Sequence, residues 1–299
     1  MRFPAVLALA LVTAAPSFVT AQGRAAPLST SEFVVSTEWL AAHAADRDLV
    51  LIHVVSDTGY RGEQIPGSRT LWYRAFVRSN GTVSSELPPV DSLRAILERA
   101  GVSNTSRVVV YADEAPMATR LLFTLDYLGH DRMAFLDGGM RKWKREQRAV
   151  TTDAVKPVPS RYTPLPREAL LTNADWLSDR VGKPGLALID TRTPGEFTGN
   201  SVRGGLPSTG HLAGARLLEW EWLFADADHS VLRPRAELEA LFAERVRPGD
   251  KVVTYCWVGY RGSATYFIAR HLGYDVKLYD GSFQDWMQRK LPVRTGDTP

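Results

Sequence analysis

The chain has 299 residues, 44% hydrophobic and 23% charged, with a net charge of +3. That is the composition of an ordinary globular protein, and with no lysine or arginine run it gives no footing for nucleic acid. One cysteine and six histidines without ligand spacing exclude an internal disulfide and a cysteine-built metal centre, so neither metal nor cofactor is expected.

The chain opens with Met1-Arg2, an apolar run over 6–15, and the small residues Val19-Thr20-Ala21. This pattern predicts a signal peptide over 1–21, cleaved before Gln22. The run is too short to span a membrane, and no cysteine follows it to carry a lipid. The mature protein is therefore expected to be exported, soluble and periplasmic, with no membrane association after cleavage.

Beyond it the elements come in a repeating order. Ser36-Thr37-Glu38-Trp39-Leu40 reads as a capped helix start and recurs as Asn173-Ala174-Asp175-Trp176-Leu177. The strand 49–54 recurs at 186–190, Ile65-Pro66-Gly67 at Leu212-Ala213-Gly214, and the helical stretch 92–100 at 236–245. The strand 107–111 recurs at 251–255, and Leu136-Asp137-Gly138-Gly139 with Trp143 recurs as Tyr279-Asp280-Gly281-Ser282 with Trp286. The later pairs are offset by 143 or 144 residues, a duplicated domain rather than a solenoid. A proline-dense stretch between the copies predicts an extended, stiff linker. The domains are accordingly 30–150 and 169–299, joined by a linker over 151–168. Short apolar strands alternating with helical patterns predict an α/β fold, each copy a parallel sheet with helices on both faces. Ligands of such sheets bind beyond the carboxyl ends of the strands.

Cys256 follows directly on a strand at that edge, and Asp190 ends another strand of the same copy. After the thiol comes a short loop holding Gly259, Arg261 and Gly262, then an amphipathic helical pattern over 264–272 closed by Gly273. A thiol at a strand-to-helix junction lies among free N–H groups and the positive end of a dipole, surroundings that favour the reactive thiolate. Alignment of the copies puts Ala112 opposite Cys256 and Asp113-Glu114-Ala115-Pro116 opposite Trp257-Val258-Gly259-Tyr260. The scaffold matches while the loop differs, which points to one working copy rather than a buried filler.

At these residues the chain resembles the tandem-domain rhodanese sulfurtransferases. Residues 276–286 are similar to the family's C-terminal signature, with Asp285 where Glu is usual. Gly210-His211-Leu212-Ala213-Gly214-Ala215 is similar to its Gly-His-Ile-Pro-Gly-Ala element. The resemblance implies two rhodanese-like domains, the first catalytically inactive. It also implies sulfur transfer from a small anionic donor, such as thiosulfate, to cyanide or a thiol through a persulfide on Cys256. The N–H groups of Trp257, Val258, Gly259, Tyr260, Arg261, Gly262 and Ser263 are the expected cradle of that persulfide. Arg261 is expected to bind the donor. Arg192, from an Asp-x-Arg element with the supporting Asp190, is a candidate either to hold that anion or to brace the loop, and Arg203 is a further candidate to reach the donor. Trp257 and Tyr260 are expected to wall the mouth, and Glu196 and His211 to be structural.

Retention of a cation in the loop favours thiosulfate over 3-mercaptopyruvate. Four residues between Cys256 and Arg261, one fewer than in the Cys-x5-Arg loop of cysteine phosphatases and arsenate reductases, suit one sulfur atom better than a tetrahedral oxyanion. A persulfide carrier or redox sensor without turnover and a pure binding scaffold are the non-enzymatic alternatives.

Overall fold

The computed structural model describes residues 33–153, 155–201 and 210–299. The segment read as a signal peptide and the candidate Arg203 lie outside the described residues.

Two parallel five-stranded sheets form, one per copy. The first holds β1 (Val34–Val35), β2 (Leu49–Val55), β3 (Arg69–Trp72), β4 (Arg107–Ala112) and β5 (Met133–Leu136) in the order β1-β5-β4-β2-β3. The second holds β6 (Leu171–Thr172), β7 (Leu186–Asp190), β8 (Ala215–Leu217), β9 (Lys251–Tyr255) and β10 (Val276–Tyr279) in the equivalent order β6-β10-β9-β7-β8. Successive side chains of a strand face opposite ways, so a central strand with both faces covered is apolar throughout. In β2, Val50, Ile52 and Val54 join the inner core and Leu51 the outer one; in β9, Val252 goes inward and Val253 outward. The predicted helix starts hold: Ser36 Oγ accepts from Trp39 N at 3.0 Å to begin α1 (Thr37–His43), and Asn173 Oδ1 from Trp176 N at 2.9 Å to begin α5 (Ala174–Ser178).

The remaining helices are α2 (Val90–Arg99), α3 (Ala115–Tyr127), α4 (Gly139–Arg145), α6 (Pro194–Thr198), α7 (Arg235–Ala243), α8 (Tyr260–Leu272) and α9 (Ser282–Gln288). α3 and α8 are counterparts in the two copies, and they pack against each other. Thr119 Oγ1 lies 3.0 Å from Ser263 Oγ, and the ring of Phe123 meets that of Tyr266 edge-on at 4.8 Å. Asp126 accepts from Tyr266 Oη at 2.8 Å and Arg270 Nε at 2.9 Å. One apolar core runs through this contact and draws on both domains. The sequence pattern predicts an amphipathic helix after the thiol, but α8 is buried on nearly every side. Its second face is covered by α3 where a lone domain would meet water. Gly273, at φ 91°, closes it as expected.

The linker has no regular structure over 155–167 and lies along the first domain. Ser160 N donates to Glu98 O at 3.0 Å, Leu165 N to Leu128 O at 2.9 Å, and Arg167 N to Tyr127 O at 2.7 Å.

His53 stands in the first sheet where Asp190 stands in the second: each pairs across the sheet with the tyrosine that precedes the divergent loop, Tyr111 or Tyr255. Its ring is fully buried, stacks on Tyr111 at 4.5 Å and meets Tyr60 edge-on at 5.0 Å, and neither nitrogen has a hydrogen-bond partner among the described residues. Burial outweighs the opposing charge of Asp113 and brings His53 down from 6.5 to about 4. The unfolded chain therefore takes up this proton near neutrality while the fold refuses it until about pH 4, and stability falls as pH drops through that window. The loss amounts to about 3 kcal/mol. We expect His53→Phe, which keeps the ring and removes the proton site, to shrink the difference in urea unfolding free energy between pH 7 and pH 4 by about 2–3 kcal/mol. An unchanged difference would show that His53 is not the source.

Candidate active site

β9 ends at Tyr255 and the chain turns at Cys256, which is fully buried. The segment joining β10 to α9 is fastened to this turn. Cys256 N donates to Ser282 Oγ at 3.2 Å, and Ser282 Oγ donates on to Tyr279 O at 2.7 Å. Phe283 N donates to Cys256 O and Gln284 N to Trp257 O, both at 3.0 Å. The turn is thus held through its carbonyls. The N–H groups of Trp257, Val258, Gly259, Tyr260, Arg261 and Gly262 find no acceptor among the described residues. That leaves a cluster of donors beside the thiol, suited to an anion carried on its sulfur.

The helix begins earlier than the sequence pattern suggests. α8 takes in Tyr260, Arg261, Gly262 and Ser263 as its first turn, so only Trp257, Val258 and Gly259 are true loop. Gly259 makes the short turn possible at φ 76°, where a Cβ would stand 2.8 Å from Asp280 O and 2.9 Å from its Oδ1. Ser263 does not join the cradle as expected: its N–H donates to Gly259 O at 3.2 Å, and its Oγ donates to Tyr260 O at 2.7 Å and meets Thr119. Trp257 and Tyr260 are half-buried, with Trp257 tilted against Phe283 at 5.8 Å.

The two described arginines of the predicted site behave differently. Arg261 is buried beside the thiol and held by Glu196 through Nη1–Oε2 at 2.7 Å and Nη2–Oε1 at 2.9 Å. Burial works against both charges. The paired hydrogen bonds and mutual attraction outweigh it, bringing Glu196 down to about 2 and raising Arg261, which the Cys256 charge also supports. Glu196 also closes the capping box of α6, donated to by Thr193 N at 3.1 Å. Arg192 was expected either to hold the donor or to brace the loop, and the structure corrects the first reading. Its Nε and Nη2 are spent on Asp190, the latter at 2.6 Å from Oδ2, and Nη2 also donates to Gly210 O at 2.6 Å. Its guanidinium lies 3.8 Å over the ring of Phe283. With 1% of its surface exposed, Arg192 is a strut behind the thiol turn. Asp190 supports it and also accepts from Tyr255 Oη at 2.6 Å. His211 is structural, stacked on Phe197 at 3.8 Å with its ring nitrogens against the carbonyls of Phe197 and Thr298.

The first domain supplies part of the site, which the sequence reading did not foresee. Glu114, in the loop read only as degenerate, accepts from Tyr260 Oη at 2.8 Å, and Tyr73 meets the Tyr260 ring edge-on at 5.3 Å. Ser84 N and Oγ donate to Gln284 Oε1 at 3.0 Å, and Leu87 N donates to Asp280 Oδ2 at 2.8 Å. Arg120, from α3, sets Nη1 2.6 Å from Asp280 Oδ1. Asp280 stood inside the repeated segment, but its reach to another domain leaves no local signal. Arg120 did leave one: at the 144-residue offset it stands opposite Ala264, a buried cation facing nothing of its kind.

Two stretches, 36–146 and 173–289, match the model of the rhodanese-like domain. The thiosulfate sulfurtransferase of Corynebacterium glutamicum is 29% identical over 282 residues, spanning 89% of this chain and 91% of that protein. The sulfur carrier protein TtuD of Thermus thermophilus is 30% identical over 277 residues, spanning 85% and 93%. A protein of Pseudomonas aeruginosa named "Probable 3-mercaptopyruvate sulfurtransferase" is 31% identical over 290 residues, spanning 90% and 100%. Among solved structures, the anaerobic ergothioneine biosynthesis enzyme from Chlorobium limicola superposes with a TM-score of 0.77 at 24% identity, spanning 88% of this chain and 70% of that one. That likeness speaks for the fold alone.

Two substitutions test this construction. Gly259→Ala forces a left-handed alanine against the Asp280 backbone, and is expected to cost about 2–4 kcal/mol in thermal or urea unfolding. Glu196→Ala leaves Arg261 buried and unpaired, and is expected to cost about 3 kcal/mol. Wild-type stability in either variant would contradict the packing described.

Proposed function

The chain belongs to the rhodanese family, and from that premise we propose that it moves the outer sulfur of thiosulfate to cyanide or a thiol by way of Cys256. The observation that carries this reading is the single thiol, set at the carboxyl edge of a parallel sheet where a turn leaves six N–H groups without acceptors among the described residues. The equivalent position of the other copy holds Ala112.

The steps follow from the geometry. The Cys256 thiolate attacks the outer sulfur of thiosulfate. A new S–S bond forms, the S–S bond of thiosulfate breaks, and sulfite leaves with the bonding pair. The terminal sulfur of Cys256 now carries the negative charge, and the free N–H groups of the turn with the dipole of α8 stabilise it there. Arg261 adds positive charge that Glu196 orients and partly neutralises. The acceptor then attacks that terminal sulfur, as cyanide to give thiocyanate or as a thiolate to give a new persulfide, and the Cys256 thiolate is restored. No other atom has to change oxidation state and no cofactor enters.

The full burial of Cys256 favours small reactants. Thiosulfate and cyanide fit that restriction, whereas a protein acceptor needs the mouth at Trp257 and Tyr260 to give way. Relatives bear both donor names, and the cation beside the thiol favours the inorganic anion over 3-mercaptopyruvate.

Wild-type protein is expected to form thiocyanate from thiosulfate and cyanide, and to gain the mass of one sulfur atom when thiosulfate is supplied alone. Cys256→Ser should do neither. Activity retained in that variant would end the reading, and a strong preference for 3-mercaptopyruvate in parallel assays would reassign the donor. A sulfur that loads but is never discharged to cyanide or a thiol would make the protein a carrier.

A further inference from the structure

We propose that Arg120, a residue of the domain that lacks the thiol, is a positioning residue for the chemistry at Cys256: it holds the thiol turn through Asp280 and sets positive charge against the sulfur. The proposal rests on the sulfur-transfer reading of Cys256 and adds a second domain to the working site.

Four observations lead to it. Arg120 is wholly buried, in the middle of α3, away from bulk solvent. A guanidinium so placed needs carboxylates and carbonyls around it, yet its set is incomplete. Nη2 donates to Ser85 O at 2.7 Å. Nη1 is paired with Asp280 Oδ1 at 2.6 Å, and Nε has no partner among the described residues. Secondly, the group lies against the thiol turn: a Cβ on Gly259 would come within 3.2 Å of Nη1. Thirdly, Asp280 joins these parts, since it accepts from Leu87 N of the first domain and its carbonyl and carboxylate press on Gly259. Fourthly, Arg120 and Cys256 lie close enough for the sulfur's charge to help hold the arginine's proton, an effect the sulfur exerts on Arg261 as well.

The charged and titratable groups around the sulfur come from several elements. Arg261 and Tyr260 come from α8, Arg120 from α3, and Tyr73 from the turn after β3. Behind them stand Glu196 on Arg261, Glu114 on Tyr260 and Asp280 on Arg120. Arg261 is committed to a carboxylate through two aligned hydrogen bonds. Arg120 keeps Nε without an acceptor among the described residues, so it too has a donor left for an anion on Cys256.

The alternative is that Arg120 only neutralises Asp280. The two roles separate in variants that remove both charges together, because no buried ion is then left unpaired. Arg120→Met/Asp280→Asn and Arg120→Gln/Asp280→Asn are made, and whichever keeps a wild-type melting temperature is used. A single cysteine makes the readout clean: the thiolate is titrated by its ultraviolet absorbance, with the Cys256→Ser spectrum subtracted. This reads the sulfur without any donor, so a wrong donor leaves it intact. The expected result is a thiolate midpoint about one pH unit higher than wild type, equivalent to roughly a tenfold loss of thiolate below the midpoint. Thiosulfate turnover should fall mainly in kcat, and Arg120→Lys should restore most of the midpoint. A folded double variant with the wild-type midpoint would reduce Arg120 to a counter-ion of Asp280 and overturn the proposal. A raised midpoint in a protein that cannot transfer sulfur from thiosulfate would uphold Arg120 and defeat the thiosulfate reading instead.

Discussion

The contact between α3 and α8 is the constraint on which the rest of the molecule depends. A helix that begins beside a reactive thiol must carry its first-turn residues and its positive end at a sheet edge, and that edge faces water in an isolated domain. Here the other copy's equivalent helix lies against it, with Thr119 on Ser263 and Phe123 on Tyr266. The burial of Cys256, Arg261 and Arg120 goes with this packing, since a partner domain occupies the space beside α8. Low polarity around the thiol then makes every nearby charge and N–H dipole count for more than it would in water.

Burial of that kind demands that charges be paired, and the pairs arrange the site. Arg192 on Asp190 and Arg261 on Glu196 both join residues that end or follow β7 to parts of the thiol turn or its backing. The first copy meets the same demand differently. Where Asp190 would sit it has His53, an uncharged ring between Tyr111 and Tyr60, and no arginine strut follows. One sheet edge is thus built to hold charge and the other to do without it. The acidic Asp113-Glu114 of the first copy, read from sequence as a loop that had lost its chemistry, has a use after all: Glu114 fixes the hydroxyl of Tyr260 at the mouth of the other copy's site.

Much of this was legible in the chain because duplication supplies its own control. Matching strands, caps and Asp-Gly segments gave the two parallel sheets but not the order of strands within them, and Ala112 opposite Cys256 singled out the thiol. What the repeat could not reveal were contacts that run between the copies. Asp280 and Arg120 are distant in sequence, and their meeting depends on how two domains dock. Arg192 was left between two roles for a related reason: a short Asp-x-Arg spacing says that the two residues are near each other, but not that the cation is consumed by its neighbour. α8 looked amphipathic because its polar residues are real, yet Ser263, Tyr266 and Arg270 face the other domain's Thr119 and Asp126 instead of solvent.

The meeting of Thr119 with Ser263 carries a further meaning. Equivalent positions of two copies touch each other only on a two-fold axis, and the reciprocal bonds on either side agree: Leu87 N reaches Asp280 as Leu232 N reaches Asp137. The interface therefore has the self-complementary geometry of a homodimer, enclosed within one polypeptide. In a true homodimer every substitution appears twice, so neither thiol edge could be remade without remaking the other. Joining the halves in one chain removes that obligation, and lets one half become a fixed wall for the other while the axis contacts stay as they were.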